Sequence, residues 1–212
     1  MIITDINAQK RKGRYNIYVD GTFYSGVDAE TIIKAGLKVG KEVDKQTLED
    51  VVLESETRSA FEKLLGLVSR QMYSRRDLEK KLFQYGYSAE CVQRVIAKAE
   101  EYGYINDDLY AKLLVESKSL KSKKEVKNAL FLKGISSSII DEKVQVIDRE
   151  EEKNRAQIIA QKYMKNKQVD EKTMAGLYAY LARRGFAGDS ISFVLRNYKF
   201  EGGNVNDWDW HC

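Results

Sequence analysis

The stretch SRRDLEKKLFQYGYSAECVQRVI, beginning at Ser74, returns as SKKEVKNALFLKGISSSIIDEKV from Ser122, with Gly86 and Gly134 in register 48 residues apart. A fainter third copy, TMAGLYAYLARRGFAGDSISFVL, puts Gly185 another 51 residues on. Such self-similarity means that one small unit is used repeatedly, and it narrows the possible folds more than composition does. A single copy could be read as a DNA-reading helix-turn-helix. Three copies make it a building block.

The apolar positions hold register around each glycine. Leu78, Val126 and Leu177 correspond, as do Leu82, Leu130 and Leu181; Val92, Ile140 and Ile191 follow, then Ile96, Val144 and Leu195. Tyr87, Ile135 and Phe186 come directly after the glycines. A leading helix is expected before each copy: Ala60–Met72 with Phe61, Leu64, Leu65 and Val68, Asp107–Ser117 with Leu109, Leu113 and Leu114, and Glu151–Lys165 with Ala156, Ile159, Ala160 and Tyr163. Stripes at i, i+3 and i+4 must be buried against partner helices, so each copy reads as a three-helix unit. Ser74-x-x-Asp77 and Ser122-x-x-Glu125 have the spacing of capping boxes. Gly86, Gly134 and Gly185 fit the position after a helix end, where positive φ is needed.

Ahead of the repeats the period is two. Ile2, Ile3 and Ile6 suggest a first strand, a basic turn Lys10-Arg11-Lys12-Gly13-Arg14 follows, and RYNIYV and TFYSGV flank Asp20-Gly21 as a tight hairpin. A short helix over Asp28–Ala35 ends at Gly36, and helical texture resumes near Asp44. The expected organisation is a small β-containing domain over 1–55, repeats over 56–105, 106–148 and 149–200, and a tail over 201–212. The fold class is mainly α, with tandem three-helix repeats in an elongated, curved molecule.

Composition excludes more than it identifies. The charged fraction is 32% and the net charge only +4, spread along the chain rather than gathered in a tail. Any nucleic-acid contact must therefore come from local clusters. No run of eighteen apolar residues occurs, MIITDINAQK does not read as a secretory leader, and the two cysteines, Cys91 and Cys212, make no disulfide framework, so the expectation is a cytoplasmic protein with reduced thiols. Enzyme chemistry has little to stand on. The single histidine, His211, sits beside Cys212 at the chain end; GLKVGKEV lacks phosphate-loop spacing; Asp107-Asp108 suits a helix start; and Cys91 falls on an inner helix face. No catalytic residue, metal or cofactor is expected.

The segment SRRDLEKKLFQYGYSAECVQRVIAKAEEYGYINDDLYA, followed by SKKEVKNALFLKGIS, resembles the RecX family of regulatory proteins. The shared pattern is a basic-led helix ending in K/R-x-L-x-x-x-G, a helix ending in E-x-G-x-I-x-D-D-x-Y/F-A, and the same unit again. It covers roughly Thr57 to Val144, and the N-terminal strands resemble an extension found in part of the family. The resemblance implies a non-enzymatic protein that binds along the filament of the recombinase RecA on DNA and most often inhibits it. The partners implied are the RecA filament and single- and double-stranded DNA without sequence preference, with the chain a monomer. The competing class is a DNA-binding or architectural helical protein independent of RecA.

Candidate contact residues lie in clusters at matching repeat positions: Arg70, Arg75, Arg76, Lys80 and Lys81 in the first copy, Lys118, Lys121, Lys123, Lys124 and Lys127 in the second, Arg183 and Arg184 in the third. One such run is ordinarily a solvated helix face. Two in register suit a periodic, polyanionic partner. Arg75, Arg76, Lys80 and Lys81 are expected to remain free for that partner, as are Lys123 and Lys124. Of the interleaved tyrosines, Tyr73 and Tyr85 are the expected exposed ones, and Tyr87 and Tyr104 the packed ones. Sequence-specific reading is disfavoured, because SAECVQRVIAK offers only Glu90, Gln93 and Arg94 outward and SSSIIDEKV is acidic and serine-rich.

Overall fold

The computed structural model describes residues 1–10 and 12–198. Arg11 of the basic turn, Trp208, Trp210, His211 and Cys212 lie outside the described residues. The chain divides into two compact units, Met1–Asn106 and the residues from Asp107 on.

In the first unit, β1 (Ile3–Ala8), β2 (Arg14–Val19) and β3 (Thr22–Asp28) form an antiparallel sheet in that order. The β2–β3 hairpin turns at Asp20 and Gly21, whose φ of 48° and 81° are what the Asp-Gly dipeptide tolerates. Ile3, Ile17, Val19 and Val27 bury one face against Leu37, Val43 and Leu48. Helix α1 (Ala29–Lys34) is capped by the Asp28 carboxylate and closes at Gly36, φ 56°.

Helix α2 (Lys45–Val68) starts at the Asp44 cap, as the sequence suggested, but runs 24 residues without a break. The leading helix expected at 60–72 is its second half and ends at Val68. Leu48 belongs to the sheet's core, whereas Ala60 and Leu64 belong to that of the first repeat. The anticipated join at 55/56 therefore lies inside one continuous helix. Helices α3 (Arg75–Gln84) and α4 (Ala89–Glu101) complete the first repeat around Leu78, Leu82, Val92, Val95 and Ile96, each no more than 1% exposed.

The second unit holds α5 (Asp107–Ser117), α6 (Lys123–Leu132) and α7 (Ser137–Lys143), then α8 (Arg149–Met164), α9 (Glu171–Arg183) and α10 (Gly188–Arg196). A single 3-10 turn, Val144–Val146, follows α7. Each trio has its own core, one around Val126, Leu130 and Val144, the other around Leu177, Leu181 and Leu195. Of the apolar positions matched across all three copies, every residue is buried except Tyr87, which is half-buried. Gly86, Gly134 and Gly185 take φ of 86°, 77° and 75°. One stripe departs from expectation. In α5 the buried residues are Ala111 and Val115, while Leu109 and Leu113 are each 43% exposed. The helix is turned so that its small side chains meet the core.

Candidate partner interface

Helix α3 begins at Ser74, wholly buried, whose Oγ accepts from the Asp77 amide at 3.2 Å. With Leu78 and Leu82 inward, positions 75, 76, 80 and 83 face away. Arg75 is not free, contrary to the sequence expectation. Its Nε donates to Glu79 Oε1 at 2.9 Å, and a terminal nitrogen donates to both oxygens of Glu100 at 2.9 and 3.1 Å, fastening α3 to α4. The hydrogen-bonded Glu79 carboxylate, against partial desolvation and together with Glu100, holds its guanidinium above the usual arginine range. Arg76 and Lys80 are exposed and have no side-chain partner among the described residues, and the same holds for Arg70. Lys81 is half-buried, its ammonium 5.3 Å from the centroid of the half-buried Tyr73. Tyr85 is 49% exposed, with Lys63 Nζ 4.2 Å from its centroid.

The second cluster is more committed. Ser122 is buried and doubly used: its Oγ accepts from the Glu125 amide at 3.1 Å and donates to the Arg184 carbonyl at 2.6 Å. Glu125 does not reach back to complete a capping box; one oxygen takes Lys121 at 3.0 Å and the other is buried without a partner. Lys123 is a second correction. Its ammonium donates to the Ile147 carbonyl at 2.8 Å, so it satisfies the chain beyond α7 rather than facing outward. Lys127 pairs with Asp141 at 2.7 Å. Lys118 is half-buried and Lys124 exposed, and neither has a side-chain partner among the described residues.

In the third copy Arg183 is exposed. Arg184 is drawn inward, donating to Tyr180 Oη at 2.7 Å with its Nε buried and unpartnered. Cations that the sequence placed together are thus sorted by the fold. Arg75, Lys121, Lys123, Lys127 and Arg184 hold the protein together, whereas Arg76, Lys80 and Lys124 are available.

Several exposed rings escaped the sequence reading. Tyr104, expected to pack, is 47% exposed and forms an edge-on trio with Phe61 and Tyr102, centroids 6.1 to 6.3 Å apart. Lys98 Nζ stands 4.9 Å from the Phe61 centroid. Phe83 and Phe131, at equivalent positions of α3 and α6, are 50% and 67% exposed. Their recurrence off the buried stripe was the signal available. Cys91 is wholly buried, and desolvation pushes its thiol up to about 11, so it behaves as a small core residue. Among the described residues no group of three or more His, Cys, Asp or Glu side chains is arranged to hold a metal, and no helix is long and apolar enough to cross a membrane.

Comparison with known proteins decides the family. Residues 1–44 match the regulatory protein RecX N-terminal domain, and residues 60–98 match the first three-helix domain of RecX. The chain is 31% identical to the regulatory protein RecX of Caldanaerobacter subterraneus subsp. tengcongensis over 92% of its length and 98% of that protein's. It is 32% identical to the regulatory protein RecX of Clostridium beijerinckii, over 92% and 94%. The chain belongs to the RecX family. A crystal structure described as regulatory protein RecX superposes with a TM-score of 0.66 at 28% identity, covering 91% of this chain and 98% of the other. RecX from Lactobacillus salivarius, at 22% identity and TM-score 0.61, shares the fold over 67% of this chain. The three-helix units and the N-terminal strands are thus RecX features, and proteins of this family are named as regulators.

Proposed function

We propose that this RecX chain binds the RecA–DNA filament and restrains RecA, lowering its ATP hydrolysis and shortening or destabilising the filament, with no catalysis of its own. Family membership supports a regulatory role. The observation that carries the filament reading is the pair of exposed cations, Arg76 and Lys124, at equivalent positions of successive repeats and without a side-chain partner among the described residues. Repeated units offer extended surfaces rather than pockets, and a filament is the partner whose own repetition matches. The available cations suit carboxylates or phosphates on it.

The test mixes the purified protein with RecA, ATP and single-stranded DNA. The expected result is reduced ATPase and shorter filaments as the protein is added. Unchanged ATPase and filament length, with binding to bare DNA retained, would favour the reading as a RecA-independent DNA-binding protein.

A further inference from the structure

The first two repeats carry a surface stripe that their cores do not use. Arg76, Lys80 and Phe83 stand at i, i+4 and i+7, on one face of α3. The matching positions of α6 hold Lys124, Asn128 and Phe131, and all six residues are exposed or half-exposed. In α9 the equivalent positions are Ala175, Ala179 and Ala182. That helix still buries Leu177 and Leu181 completely. The unit therefore folds without the stripe, and two half-exposed phenylalanines per chain need another explanation than folding.

We propose that the two stripes are equivalent docking sites for a protein surface that sets carboxylates beside an apolar pocket, the ring entering the pocket and the Arg76 or Lys124 cation meeting the carboxylates. This rests on the filament reading and deepens it, by assigning the contact to protein subunits rather than to nucleic acid. Cation and ring are separated by seven residues, about 10 Å along the helix, as in helix-in-groove recognition. Charge complementarity selects an acidic partner, since neither leading cation has a side-chain partner among the described residues. Two details favour protein over single-stranded DNA. The middle position accepts the neutral Asn128, whereas a phosphate backbone followed along the helix is better met by cations throughout. Leu132, beside Phe131, is 71% exposed, and an aliphatic side chain fills an apolar pocket but offers no face to a base.

The experiment compares the full chain with its Phe83→Ala/Phe131→Ala variant, on RecA filaments assembled on single-stranded DNA and on the same DNA alone. Alanine is already present at the matching α9 position, so helicity and thermal unfolding should be preserved, and both are measured. Filament affinity should fall about tenfold or more, with affinity for bare DNA within about twofold of the parent. Equal loss on filament and bare DNA would overturn the proposal in favour of base stacking. No loss on either would reduce the rings to inert surface. A parent chain that ignores the filament altogether would instead sink the functional reading, and this one with it.

Discussion

Single residues separate what the repeat requires from what it spends on contact. Gly86 has open space where a Cβ would stand, so Gly86→Ala should cost only the left-handed backbone, about 1–2 kcal/mol. At Gly185 an added Cβ would lie 3.2 Å from Lys124 Cδ and 3.3 Å from Ser122 Oγ. Gly185→Ala should therefore destabilise more than Gly86→Ala in denaturant unfolding, and the reverse order would mean that the second and third copies are not packed this way. Ser122→Ala removes a helix cap and the bond to the Arg184 carbonyl together, so a loss of about 1–3 kcal/mol is expected in the same measurement. Asp28 has its own pH signature. Desolvation raises its carboxyl, but the Thr31 amide, the Ser55 and Thr31 hydroxyls and the Arg58 guanidinium outweigh it and hold the group below the usual carboxylate range. A depressed folded value means that the stabilisation is complete above the unfolded value of about 3.9 and drains as pH falls towards the folded one. Asp28→Asn, which keeps a competent cap, should be less stable than the parent at neutral pH, with the gap narrowing in acid.

Elements were legible where a local rule fixed them. Ser74 and Ser122 cap the helices their spacing announced, the helices expected from Asp28 and near Asp44 begin there with those aspartates as caps, and Asp20-Gly21 makes the expected hairpin. Misreadings came where the deciding partner is distant along the chain. The first half of α2 is charged and weakly patterned, and its helicity rests on the sheet core through Leu48 and on Ser55, which donates to the Asp28 carboxylate at 2.7 Å. The rotation of α5 follows from what α6 and α7 offer it, so Leu109 and Leu113 point away from the face expected of them, whereas Leu114 packs against the core. Arg75 and Lys123 meet partners 25 and 24 residues away, which no inspection of a basic cluster reveals. The burial pattern of α5 makes a prediction at this scale. Leu113→Gln should change stability by no more than about 0.5 kcal/mol, whereas Leu130→Ala, wholly buried in the same core, should cost about 2–5 kcal/mol. Comparable losses from the two would return Leu113 to the core.

At the scale of the molecule, the fold divides the cations of its basic clusters into bound and exposed ones, and the proposed filament contact draws on the exposed set. Within each compact unit, one cation in the first turn of a helix is bound internally, Arg75 or Lys123, and its neighbour, Arg76 or Lys124, is exposed without a side-chain partner among the described residues. Neighbouring cations in the same sequence setting thus differ, one bound within the protein and one exposed, and the proposed interface uses the second. The most direct test measures binding to RecA filaments on single-stranded DNA, across a series of salt concentrations, for Arg76→Glu/Lys124→Glu and for Arg75→Glu/Lys123→Glu, with thermal unfolding of both. The first variant should keep its stability, bind the filament far more weakly and lose much of the salt dependence, while the second should be the one that loses stability. If Arg76→Glu/Lys124→Glu binds at moderate salt as tightly as the parent, these cations are only a solvated face, and the filament contact lies elsewhere on the chain.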